Sequence, residues 1–262
     1  MHPIASDLSA NFLKNMCLSL LQLGDIQQAI FACENALVIQ PERMGILRVL
    51  GDAHVRYSEA LALTERLKDA QESLLGATEA YQKSLDDTLD AQVLFSLGHV
   101  YTQRGLLDSA LLTYQASLVN YRENAQHQQE DVHFKIGNLY MCLGDVENAL
   151  GAYEASYQIQ PNSMELLANM GSALRQLGRL EEAHTTYMRA ADLAPNNPHL
   201  LYAIGDLLYA RGNVEAATET IALAFAKGLE NRTAYDSFLA LLRAQGRDRE
   251  ADAWEKKRLL EP

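Results

Sequence analysis

Cysteines, histidines and adjacent carboxylates are the side chains through which this sequence could do chemistry. Cys17, Cys33 and Cys142 are odd in number and have no Cys-x-x-Cys spacing, which argues against both a disulfide framework and a zinc site. They are expected as thiols in a reducing compartment, with Cys17 and Cys33 acting as small buried hydrophobes. His127 and His133 stand six apart, neither i+3 nor i+4, so one helix would not aim both at one metal; they read as solvated surface. Glu181 and Glu182 sit where a helix starts and the macrodipole favours negative charge, which accounts for them without acid–base work. The sequence has no Gly-x-Gly-x-x-Gly, P-loop, Gly-x-Ser-x-Gly, His-Glu-x-x-His or EF-hand loop. It therefore predicts a protein without a catalytic site, resident metal or cofactor.

Charge narrows the partners. Lys and Arg number 22 against 34 Asp and Glu, a net charge of -12 that repels phosphate backbones and anionic lipid. Nucleic acid is not an expected partner. No stretch approaches the ~18 apolar residues that span a bilayer, so no membrane insertion is expected. Met1 to Leu8 lacks the basic-then-apolar order of a signal peptide, and the expected location is cytoplasmic. Hydrophobic residues make up 48% and can build a large core, with no composition shift that would mark a linker; one continuous domain over 1–262 is expected.

What would position any functional side chain is a repeat. An apolar-then-small pair recurs at Met16-Cys17, Leu50-Gly51, Leu97-Gly98, Ile136-Gly137, Met170-Gly171, Ile204-Gly205 and, degenerate, Phe238-Leu239. Seven residues after the small one comes a glycine in six of the seven copies (Gly24, Gly105, Gly144, Gly178, Gly212, Gly246), and five later an alanine (Ala29, Ala110, Ala149, Ala183, Ala217, Ala251). The pattern predicts a helical hairpin per copy. The small residue of helix A lies at a close crossing with helix B, glycine ends helix A, and the alanine supplies the other side of the crossing. Asp25 with Gln28 has capping-box spacing, Asp145 and Asn213 are expected N-caps, and Pro41, Pro161 and Pro195 close B helices.

These residues resemble the tetratricopeptide repeat, most completely in Leu167, Met170, Gly171, Leu174, Gly178, Ala183, Tyr187, Ala190 and Pro195. The resemblance implies an all-α fold, a right-handed α-solenoid of stacked antiparallel helix pairs. Its repeats fall at about 10–43, 44–90, 91–129, 130–163, 164–197, 198–231 and 232–262. In the second copy the alanine landmark arrives at Ala77, about 14 residues late, which predicts two elongated helices projecting as a hairpin around Ala62 to Lys68, with the new helix starting at Asp69. Extra residues at Ala125 to Gln129 are expected to lengthen the third copy's B helix and add a polar turn. The last copy, with Trp254, Glu255, Lys256, Lys257 and Arg258, reads as a polar cap that would close the array near Pro262.

In the family the A-helix face opposite the core lines a concave groove in which peptides lie. Counted copy by copy, that face carries Phe95, Phe134, Lys135, Asn138, Asn169, Arg175, Tyr202 and Tyr209 as candidate partner-binding residues: rings for side chains, amides for backbone. An alternative for the rings is packing between neighbouring A helices. Lys135, Arg175 and Arg243 are offset by Asp131, Glu165, Asp206 and Asp236. Against the family's clamp for acidic chaperone tails, Phe134, Asn138, Asn169, His199 and Ala203 match both amides but no cation, so such a tail is not the expected ligand. The expected function is a scaffold or adaptor that binds a protein or peptide. The alternative is the non-catalytic repeat region or subunit of an enzyme system such as a glycosyltransferase. Self-association through the projecting hairpin or an uncovered terminal repeat, giving a homo-oligomer, is a further expectation.

Overall fold

The computed structural model describes residues 3–41, 43–86, 89–121 and 125–260, and the side chains of all of these but 3–7, 127 and 257–260. Glycines at the ends of the A helices set the architecture: Gly24, Gly105, Gly144, Gly178, Gly212 and Gly246 all have φ between +72° and +83°, a left-handed turn that glycine adopts without steric cost. The N–H beyond each turn then bonds back into helix A, as Arg179 N–H does to the Leu174 carbonyl at 2.9 Å.

Fourteen helices are present among the described residues, in two compact units whose boundary falls between Leu139 and Tyr140. The first unit holds α1 (Pro3–Leu23), α2 (Ile26–Ile39), α3 (Met44–Leu63), α4 (Leu67–Ser84), α5 (Ala91–Gln103), α6 (Leu107–Asn120) and most of α7 (Gln126–Leu143). The second holds the end of α7, then α8 (Val146–Ile159), α9 (Met164–Gln176), α10 (Leu180–Leu193), α11 (Pro198–Ala210), α12 (Val214–Ala226), α13 (Arg232–Ala244) and α14 (Asp248–Leu260). Within a unit, sequential helices pack as hairpins (α3 on α4, α9 on α10), and each hairpin's second helix packs on the next hairpin's first (α4 on α5, α10 on α11). All seven landmark alanines are buried, Ala77 standing for the stretched copy.

The close crossing differs in one detail from the sequence expectation. A Cβ on Gly51, Gly98 or Gly171 would lie 2.5–2.8 Å from the ring of Tyr81, Tyr114 or Tyr187, so the ring of helix B and not the alanine fills the slot. These tyrosines, with Tyr153, are at most 1% exposed. Burial drives the Tyr114 hydroxyl up to about 12, and burial together with Asp52 drives Tyr81 well above the phenol range. The Tyr81 hydroxyl donates to the Asp52 carboxylate at 2.6 Å.

The first copy replaces this glycine–tyrosine pair by Cys17 and Cys33, and the two form a disulfide with Cα atoms 5.6 Å apart. This corrects the expectation of free thiols. Parity was the wrong guide, because the crossing itself sets the two positions face to face within the range that a disulfide bridges. Cys142, the odd residue, is exposed and free. The pairing also removes the cysteine argument for a reducing compartment, since disulfides persist chiefly in oxidising ones.

The second copy's long hairpin has the expected form: α3 and α4 turn at Thr64 to Arg66, and Ser58, Leu61, Ala70, Ser73 and Leu74 keep the added turns buried. Glu65 occupies the glycine's place with φ +60°. The helix begins at Leu67, two residues before Asp69, which instead binds the Arg66 guanidinium at 2.6 Å. The residues before Glu130 continue helically into α7, which begins at Gln126, while α6 stays at 14 residues; the extra segment lengthens an A helix and not the preceding B helix. Its polar, helix-compatible residues satisfy their own backbone there. Asp25 and Asp145 cap their helices through the expected N–H groups. Asn213 stands at its N-cap without a side-chain cap bond. Trp254 joins Phe225, Tyr235 and Phe238 in an aromatic cluster between α12 and the two helices of the terminal hairpin. Lys257 and Arg258, as side chains, and Pro262 lie outside the described residues, as does the His127 side chain.

Candidate protein-binding face

A helix buries one stripe against its partners and leaves another free to contact a ligand. In the second unit the first helices of three successive pairs, α9, α11 and α13, line two adjoining clefts. The larger, of about 600 Å³, is walled by Glu165, Asn169, Arg175, His199, Tyr202 and Asp206. The second, of about 460 Å³, shares Tyr202 and Asp206 and continues over Tyr209, Phe238, Leu241 and Ala244. Four of the eight candidate residues, Asn169, Arg175, Tyr202 and Tyr209, therefore meet on one continuous surface.

The periodicity of α11 explains the arrangement. Tyr202, Asp206 and Tyr209 follow at i, i+4 and i+7 and share one stripe, while Ile204 and Leu207 point into the core. Tyr209 is 53% exposed and Tyr202 is half-buried. Burial, reinforced by the Asp206 charge and opposed by Arg175, raises the Tyr202 hydroxyl, which stays protonated at neutral pH. Arg175 pairs with Asp206 at 3.2 Å. Arg243 of α13 pairs with Glu255 of α14 at 2.8 Å.

In the first unit Phe95 lines a separate cleft of about 450 Å³ with Asp52, Arg56, Glu59, Tyr81 and His99. Its ring leans on Tyr114, centroids 5.6 Å apart, so it serves packing and cleft together. Burial holds His99 below the usual imidazole range, helped by Lys135 and opposed by Glu59. Phe134, Lys135 and Asn138 lie on α7 and line none of these clefts. Phe134 is only 8% exposed, with Lys135 Nζ 5.7 Å from its ring centre, and so presents little surface to a ligand.

The sequence reading passed over Ala240, Leu241 and Ala244, which line the second cleft. Small size on the outer face of α13 was the only signal for Ala240 and Ala244. Glu181 and Glu182 are both engaged in ion pairs, with Arg211 at 2.9 Å and Arg179 at 2.6 Å, consistent with their structural reading. Among the described residues no three His, Cys, Asp or Glu side chains are placed to hold a metal, and no helix is long and apolar enough to cross a membrane.

Family models for the tetratricopeptide repeat match residues 130–163, and for the TPR repeat residues 171–212. The first match has the limits that the small-residue spacing assigns to the fourth copy. The chain carries tetratricopeptide repeats. No curated protein matches it by sequence. Among solved structures, this TPR chain is similar to one described under the functional characterization of Pseudomonas aeruginosa pilF (18% identity, TM-score 0.68, 90% of this chain and 99% of the other). A tetratricopeptide repeat protein from Parabacteroides merdae has 18% identity and a TM-score of 0.67 over 95% of this chain and 92% of its own. YrrB, described as a TPR protein with an unusual peptide-binding site, has 19% identity and a TM-score of 0.52, covering 79% and 97%. At these identities the likeness establishes the fold.

Proposed function

We propose that this TPR protein is a scaffold that holds a segment of a partner protein against the α9–α11–α13 face. The observation that carries the reading is the convergence of Asn169, Arg175, Tyr202 and Tyr209 on two adjoining open clefts. Rings supply contact area at low entropic cost. The Asn169 amide offers both a donor and an acceptor, the complement of a peptide backbone. The cleft floor at Phe238 and Leu241 gives an apolar side chain a place to leave water. No covalent step is needed for this function.

The test is capture of a partner from the native cell, repeated with the double variant Asn169→Ala plus Tyr202→Ala after circular dichroism has verified its helicity. Loss of the partner supports the reading. Undiminished capture by the folded double variant sinks the assignment of this face.

A further inference from the structure

The chemistry of the α11 stripe names the partner's charge. Tyr202, Asp206 and Tyr209 place a carboxylate between two phenol rings on one helix face, one turn from each ring. Aromatic faces attract cations through their quadrupole, and a carboxylate at the same place adds a full charge. An anion would meet repulsion from both.

The surrounding charges point the same way. The larger cleft carries Glu165 and Asp206 against one guanidinium, Arg175, which Asp206 already holds at 3.2 Å. Arg243 is held by Glu255 at 2.8 Å, with Asp252 at 3.8 Å. Asp206 keeps 41% of its side chain exposed after pairing, so its carboxylate remains reachable. Beside this acidic, aromatic stripe the cleft turns apolar, over Ile221, Phe238, Leu241 and Ala244.

We infer that the occupant of this face is a peptide segment carrying a lysine or arginine next to a large apolar side chain. The cation lies over Asp206 between Tyr202 and Tyr209, and the apolar neighbour enters the Phe238–Leu241–Ala244 cleft. This rests on the proposed α9–α11–α13 binding face and specifies what it selects.

Three fluorescein-labelled peptides test it by fluorescence anisotropy with the full chain: repeats of Lys-Phe-Ala, of Glu-Phe-Ala and of Lys-Gly-Ala. The Lys-Phe-Ala peptide should bind at least about ten-fold more tightly than either other, with affinity falling as salt rises. Asp206→Asn should weaken it about five-fold and flatten the salt dependence. Tyr209→Ala should weaken it about two- to five-fold, the worth of an exposed cation–ring contact, and Tyr209→Phe should restore binding because the ring face is kept. Equal or tighter binding of Glu-Phe-Ala overturns the inference, as does indifference of Lys-Phe-Ala binding to Asp206→Asn. The two proposals fail separately. If the native partner is lost from the Asn169→Ala plus Tyr202→Ala variant while Glu-Phe-Ala is the preferred peptide, the face stands and its cation selectivity falls. If neither native partner nor peptide responds to substitution here, both fall.

Discussion

Reducing the Cys17–Cys33 bond is expected to loosen the first hairpin and leave the others unchanged. In the second, third and fifth copies a buried tyrosine ring fills the glycine slot; in the first, two sulfurs stand there, both residues fully buried. Two sulfurs carry less apolar surface than a tyrosine ring, and the covalent bond ties the two helices together at that slot. With a sequence separation of 16, the chain-entropy relation gives about 3 kcal/mol at 25 °C. That is a factor on the order of 10² in the local opening equilibrium. The assay is native-state hydrogen exchange of protein refolded with and without a thiol reductant, since buried sulfurs are shielded from reductant in the folded chain. Amides of α1 and α2 should lose about two orders of magnitude of protection on reduction. Those of α5 and α6 serve as the internal reference. Cys142→Ala should change neither. Two results refute the reasoning: alkylation of all three cysteines in denaturant without reductant, or unchanged α1–α2 exchange on reduction.

Two glycine substitutions should have opposite signs: Gly171→Ala puts a methyl 2.7 Å from the buried Tyr187 ring and should cost about 1–3 kcal/mol, while Gly151→Ala, mid-helix with no atom within 4 Å, should gain about 0.5–1 kcal/mol. Urea denaturation measures both. Glu65→Gly should stabilise the long hairpin by roughly 0.5–1 kcal/mol, since relief of the left-handed strain exceeds glycine's added chain entropy; a lower urea midpoint would contradict this. Burial lowers the pKa of His54, with Glu79 opposing, and of His99, so the folded chain binds fewer protons than the unfolded one, whose histidines titrate near about 6.5. Stability should hold above that pH and fall as pH drops below it, and His99→Gln should flatten the fall in urea midpoints between pH 7.5 and 5.5.

Helix pairing was legible because it follows from local rules. Glycine spacing marks the left-handed turns, landmark alanines mark crossings, and the 14-residue delay of Ala77 divides into seven residues per helix because both strands of a hairpin must lengthen together. That Tyr202 and Tyr209 share one stripe of α11 was legible for the same reason, by helical period alone.

Tertiary structure decided what one-dimensional periodicity does not encode. It chose the tyrosine ring as the glycine's crossing partner, because ring volume and not sequence order fills that slot. It joined Cys17 to Cys33, a pairing that a residue count could not see, because proximity arises from the crossing of two helices. It sank Phe134 to 8% exposure while leaving Tyr209 at 53%, although both stand on helix faces that the period treats alike. Exposure depends on neighbours from other helices, and those are fixed only when the hairpins stack. For the same reason the sequence determined that this chain is an array of TPR hairpins, whereas packing alone set Tyr202, Asp206 and Tyr209 beside the apolar cleft of α13.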